Sequence, residues 1–269
     1  MANIKLKTDL TTIKNLRESG KRLAFIVKKV GEAIKPGVSL IELDRLAYDL
    51  IVNSDKKEKG NYKPALLNYR PYGADFPYPN TLCISVNDAV VHGIPNEYKL
   101  KSGDIVSIDT CLDYKGMITD HTITFPVGKI KKEDEELLKI TKGALMAGIK
   151  MAISGNHIQD ISSAIEGYIK KEGKKINKDL GIIKTLAGHG VGYKVHEDPY
   201  VQNYDDGTKG AKLIPGMVLA IEPMVNLGTE DIYQDKDGYT LRTTDGKNSA
   251  HFEHTILITK DKPEILTVL

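Results

Sequence analysis

Gly216-Met217-Val218-Leu219-Ala220-Ile221-Glu222-Pro223 reads as a turn glycine, a short apolar strand and an acid at the strand's end, with a proline halting the extension. The chain makes nearly the same statement earlier. Leu100, Gly103, Ile105, Ile108 and Asp109 lie 113 positions before Leu213, Gly216, Val218, Ile221 and Glu222. Each copy is followed by an acid-His-Thr-Ile unit, Asp120-His121-Thr122-Ile123 in the first and Glu253-His254-Thr255-Ile256 in the second. Each is preceded by a His-Gly-aliphatic unit, His92-Gly93-Ile94 and His189-Gly190-Val191. A repeat in this order predicts two similar halves facing each other, with acids and histidines meeting at the seam.

Composition sets the bounds. The chain has 269 residues, enough to bury a sizeable core, and no linker composition divides it, so a single domain over 1–269 is expected. With 38 basic and 36 acidic residues the net charge is +2, too balanced to argue for nucleic acid or an anionic membrane surface as partner. Met1 to Thr8 has no apolar core of signal-peptide length and no apolar run reaches membrane-spanning length, so neither a secretory signal nor a membrane span is expected. Cys83 and Cys111 form no disulfide framework and are expected reduced in a cytoplasmic protein.

Along the chain, residues 8–53 read as helical, with Ile26, Val27, Val30, Ala33 and Ile34 at helical spacing, a break at Pro36-Gly37, and a capping box of Ser39 and Glu42 opening a second helix. Asp55 to Gly60 reads as a solvated turn, and residues 62–80, rich in tyrosine and proline, as a surface loop packed by its own rings, which either lines a pocket or is merely structural. Strands are expected over 81–86, 90–92, 104–112 and 117–127, the last two joined by a hairpin turn at 113–116. Helices follow over 133–153 and 158–171, with His157 a structural residue at the second helix start. In the second half 186–195 carries the His-Gly unit, 199–207 is a loop, and 216–225, 239–243 and 251–259 are strands.

Two carboxylates on one hairpin, two more from the repeat and nearby histidines cannot all stay ionised in a pocket unless something offsets their repulsion. Divalent cations do so. A set of Asp, Asp, His, Glu and Glu suffices for two ions if some carboxylates bridge, and such a pair, about 3.5–4 Å apart, generates a hydroxide nucleophile and polarises a carbonyl. Oxygen-rich ligation argues against structural zinc and favours manganese, iron, cobalt or magnesium, with catalytic zinc compatible. Gly188-His189-Gly190-Val191-Gly192 has the glycines of a phosphate loop but lacks the following acid and helix.

The stretches Val90–Pro95, Asp104–Asp109, Asp120, Gly188–Gly190, His196-Glu197, Ile221–Met224 and Glu253–Thr255 resemble type I methionine aminopeptidases over about residues 8–260. The 11-residue gap from Asp109 to Asp120 and the 31-residue gap from Glu222 to Glu253 belong to the resemblance, the latter leaving no room for the insertion of type II enzymes. The resemblance implies an α+β pita-bread fold, a curved antiparallel sheet backed by helices with pseudo-twofold symmetry. It also implies two divalent metal ions, removal of initiator methionine from nascent polypeptides with small second residues, transient contact with the ribosome, and a monomer. Asp109 would chelate one metal, Asp120 and Glu253 would bridge, and His189 and Glu222 would hold the other, Glu222 also moving the proton of the water. His92 would contact the scissile amide or the substrate and help the leaving amine, and His196 would bind the carbonyl beyond the first residue. Cys83 and Tyr78 match the methionine pocket, and Tyr69 a further wall.

Three residues depart from that pattern: Cys111 in place of a threonine, His121 in place of a small residue, and His251 in place of a glutamine. His121, His251 and His254 are expected to pack on strands or support the ligands, the alternative being an extra metal ligand. The alternatives are a proline-directed aminopeptidase or prolidase, whose N-terminal domain would need more than the 91 residues before His92, and a non-catalytic binding protein on the same fold.

Overall fold

Burial of one apolar stripe shapes each helix. The computed structural model describes residues 3–53 and 60–269, so the charged turn expected from Asp55 lies, apart from Gly60, outside the described residues. In chain order the elements are α1 (Leu10–Ala33), α2 (Leu40–Val52), β1 (Tyr62–Pro64), β2 (Cys83–Val86), β3 (Ala89–Val91), β4 (Ile105–Tyr114), β5 (Met117–Pro126), α3 (Lys132–Met151), α4 (Ile158–Lys175), β6 (Gly181–Ile182), β7 (Gly188–Gly190), β8 (Glu197–Val201), β9 (Val218–Ile221), β10 (Met224–Asn226), β11 (Ile232–Gln234), β12 (Leu241–Thr243), β13 (Ser249–His251), β14 (Glu253–Leu257) and β15 (Glu264–Ile265). Asp9 caps α1 by accepting from the Thr12 amide, and Ser39 with Glu42 forms the expected capping box of α2. Glu133, Asp134 and Glu135 occupy the first turn of α3, where the helix dipole favours negative charge.

The main sheet runs β1-β4-β5-β14-β9-β7-β8, with β2 also on β4 and β15 also on β14. Its centre carries the repeat. The β4–β5 hairpin and the β9–β14 pair are both antiparallel, and they join through β5 against β14. The hairpin turn takes Lys115 and Gly116 at positive φ, the geometry that matches the twist of paired strands. One apolar cluster lies under the first half, where Leu23, Ile26 and Val30 of α1 meet Val106, Ile108 and Leu112 of β4. The other lies under the second, where Leu145 of α3 and Ile161 and Ile165 of α4 meet Leu219, Ile221 and Ile256. This is the helix-backed antiparallel sheet that the resemblance implies, with the mirrored halves that the repeat predicts.

The helical region 8–53 is two helices separated at Pro36-Gly37, as expected, since Pro36 cannot continue the ladder. Three expectations change. Residues 62–64, expected as loop, pair as β1 with β4. Glu197–Val201, placed mostly in a loop, is the edge strand β8; its acids and Pro199 obscure the strand pattern, and an edge tolerates both. The expected strands 216–225 and 251–259 are each cut in two, at Glu222-Pro223 and at Phe252, and the pieces after and before the cuts, β10 and β13, pair in a separate small sheet. Pro223 donates no amide hydrogen, so the ladder stops at the acid.

Candidate metal centre

The strand registers bring the predicted acids to one face. Asp109 on β4 stands opposite Thr122 on β5, and Asp120 stands opposite Cys111. On the other side of β5, Glu253 also stands opposite Thr122. The Thr122 hydroxyl therefore lies between them, 2.9 Å from Asp109 Oδ1 and 2.8 Å from Glu253 Oε2. Its pseudo-equivalent Thr255 does the same for the backbone, accepting from the Asp120 amide and donating to the Asp120 carbonyl, both at 2.8 Å.

His189 sits in β7, paired with Ala220 of β9, which places it beside Glu222 at the end of that strand. Its glycine neighbours explain the motif: a Cβ on Gly188 would stand 2.4 Å from the Ala220 carbonyl oxygen, and one on Gly190 2.2 Å from that of Asp198. His189 Nδ1 lies 2.9 Å from the Gly190 carbonyl. A carbonyl only accepts, so Nδ1 carries the proton and Nε2 offers its lone pair to the cleft, 3.4 Å from Glu222 Oε1.

The electrostatics call for a cation. Burial pushes the Asp109 carboxyl up to about 6 and Glu222 up to about 8, and burial with repulsion from Asp109 pushes Asp120 well above the usual carboxylate range. Glu253 is raised likewise, by burial and then by Asp120 and Glu222. Burial lowers His189 to about 3, so its imidazole is neutral and able to ligate. Donor atoms of Asp120, His189 and Glu253 lie within 4.8 Å of one another, and Glu253 Oε1 is buried with no hydrogen-bond partner. Clustered carboxylates, a lone pair and an orphaned oxygen fit a divalent ion.

These groups form the floor of a cavity of about 1120 Å³. His92 lines it, held at a left-handed φ of 59°, and burial lowers its imidazole to about 4. A Cβ on the next residue, Gly93, would stand 2.1 Å from the Ile84 carbonyl oxygen, so glycine is required there. His196 is open to solvent, yet the protein around it still lowers its pKa; Tyr69 Oη lies 2.8 Å from its Nδ1. Tyr69, Tyr78 and Cys83 all line the cavity. The Tyr78 hydroxyl lies 2.9 Å from Leu82 O and 2.8 Å from Gly93 O, which turns the polar tip away and leaves the ring as wall. Tyr239, unmarked in the sequence reading, completes that wall edge-on to Tyr78, ring centroids 5.1 Å apart. An aromatic directly after the Asp237-Gly238 turn was the available signal.

All the predicted site residues thus line one cavity. Of the three departures, Cys111 Sγ lies 2.8 Å from Asp120 Oδ2, His251 lies beside Glu222, and His121 turns away to the Glu253 carbonyl.

Residues 14–260 match metallopeptidase family M24. The chain is 44% identical over 260 residues to a methionine aminopeptidase of Aquifex aeolicus, covering 96% of each protein. It is 38% identical over 257 residues to that of Escherichia coli K12, covering 95% of this chain and 91% of the relative. The crystal structure of methionine aminopeptidase from Thermotoga maritima superposes with a TM-score of 0.88 at 37% identity, covering 99% of this chain and all of that one. The prolidase of Pyrococcus furiosus shares the fold only, at a TM-score of 0.71 and 24% identity, and the chain covers 65% of it. With the pita-bread fold, the mirrored acids and near full-length identity agreeing, the chain belongs to metallopeptidase family M24, among its methionine aminopeptidases.

Proposed function

We propose that this chain removes the initiator methionine from nascent polypeptides, cutting most readily where the second residue is small. The observation that carries the reading is the convergence of Asp109, Asp120, His189, Glu222 and Glu253, drawn from both halves, on the floor of a cavity walled by Tyr78, Cys83 and Tyr239. Those five side chains would hold a pair of divalent cations, of cobalt, manganese, iron, zinc or magnesium. When bound, the cations would acidify a water and polarise the scissile carbonyl.

The remaining work falls to the protein. Glu222 takes the proton of the attacking water and returns it to the departing amine. His92, neutral at physiological pH, hydrogen-bonds the scissile amide. His196, braced by Tyr69, binds the carbonyl beyond the first residue. Tyr78, Cys83 and Tyr239 surround the thioether with apolar and aromatic surface, which suits methionine's soft, flexible chain.

One catalytic domain, acting as a monomer, is sufficient for this role, because one chain supplies every donor. Two buried free cysteines and the absence, among the described residues, of a helix long and apolar enough to cross a membrane support work in the cytoplasm, on chains leaving the ribosome. Release of methionine from Met-Gly-Met, supported by manganese or cobalt and abolished by chelation, tests the reading. Cleavage confined to Xaa-Pro peptides, or none with any metal, would overturn it. Equal cutting before Gly and before Leu would remove the small-residue preference.

A further inference from the structure

The orphaned imidazole of His251 is a polar group of the cleft that the reaction above leaves unused. His251 closes β13, and Thr124 grips its backbone from both sides: the His251 amide donates to Thr124 Oγ1 at 2.9 Å, and Thr124 Oγ1 donates to the His251 carbonyl at 2.7 Å. The side chain is buried, and neither ring nitrogen has a hydrogen-bond partner. A buried polar atom without a partner is rare and calls for an explanation.

The placement of the ring supplies one. His251 Nε2 lies 3.3 Å from Glu222 Oε2, while His189 Nε2 lies 3.4 Å from Glu222 Oε1. Two imidazoles therefore flank one carboxylate, one at each oxygen, at matching separations and without a hydrogen bond to it. Donors that share a cation through bonds of about 2.0–2.2 Å stand roughly 3 to 3.4 Å apart, so both contacts have the spacing of co-ligands. No lysine or arginine among the described residues is seen to pair with the Glu222 carboxylate.

We propose that His251 is a further ligand of the metal centre. It adds a second nitrogen to an otherwise carboxylate-rich set and biases the site toward cations that suit imidazole, such as zinc, iron or cobalt, over manganese and magnesium. The proposal rests on the metal-centre reading above and concerns this chain's own histidine, since a glutamine amide at the same position would offer a harder oxygen.

The test uses the intact chain. Histidine ring nitrogens are followed by long-range proton–nitrogen correlation spectra as zinc is added to the metal-free protein. Separately, zinc and manganese dissociation constants are measured by calorimetry for the wild type, His251→Gln and His251→Asn. The expected result is that ring nitrogens of both His189 and His251 move to metal-bound positions. Both variants should then lose at least tenfold in the ratio of zinc to manganese affinity. If His189 alone responds, or the affinity ratio stays within twofold, His251 is no ligand and the proposal falls while the metal centre stands. If no histidine nitrogen responds and neither metal binds the wild type, the metal-centre reading falls with it. The spectra of the wild type decide the matter even if a variant fails to fold.

Discussion

His121 and His254 stack face to face across the β5–β14 junction, ring centroids 4.8 Å apart and planes 13° apart. They are the two equivalent histidines of the repeated acid-His-Thr-Ile unit, so the pseudo-twofold axis passes between their rings. Burial lowers them to about 3 and about 4, so the stack is neutral at physiological pH. His121 Nδ1 donates to the Glu253 carbonyl at 2.6 Å, and His254 Nδ1 meets Thr267 Oγ1 at 2.8 Å. The pair locks the register that sets Asp120 and Glu253 side by side.

Replacing His121 should therefore act on stability. His121→Ala removes the donor to a buried carbonyl and leaves a void beside His254. A loss of about 2–4 kcal/mol is expected from those combined causes, read from urea denaturation midpoints. A loss below about 0.5 kcal/mol would show that the stack holds nothing.

Thr122 acts on the acids instead. Thr122→Val conserves shape but removes the hydroxyl that lies between Asp109 and Glu253. Divalent metal affinity should fall about 10–100-fold with the fold intact, as measured by calorimetry with manganese. Unchanged affinity would deny Thr122 its part in orienting the acids.

Glu222→Gln keeps an oxygen near His189 but cannot accept a proton. Turnover of Met-Gly-Met should drop by about 10²–10⁴, even at saturating metal. Near-normal turnover would mean that another group moves the proton.

Stability of the metal-free protein should fall as pH rises from about 6.5 to 8. Glu222, at about 8 in the fold, lies above the ordinary value of 4.5, so the folded chain holds a proton that the unfolded chain has released, and that advantage fades as pH climbs toward 8. Asp120 and Glu253 act in the same sense. The buried histidines, lowered to about 3 or 4, act oppositely, but only below about 6.5, where the unfolded chain takes up their protons. Calorimetric melting of apo protein should show the decline, and saturating manganese should flatten it. A rise in melting temperature over this window without metal would contradict the assignment of raised carboxyls.

Which part of this was legible in one dimension follows from the range of the interactions. Hydrophobic period, capping residues and turn glycines act over a few positions, so α1 to α4 and the β4–β5 hairpin could be read directly. The repeat carried more: because each half writes its own strand-acid and acid-His-Thr-Ile units, Asp109, Asp120, Glu222 and Glu253 were marked as a set. The edge strand β8 was missed because its proline and acids look like loop; the strand was read past Glu222-Pro223 because Met224 and Val225 resume the apolar pattern, and through Phe252 because 251–259 holds no glycine, proline, asparagine or aspartate to mark a break.

The sequence by itself determined the mirrored halves, the family and the candidate donors. Only the tertiary structure decided that Thr122 stands between two acids, that Tyr239 walls the cavity, that His121 turns to a carbonyl and that His251 is left facing Glu222. Those relations join residues more than ten positions apart, and often more than a hundred. They depend on which strands pair and in what register, and a one-residue slip in that pairing would send each of these side chains to the opposite face.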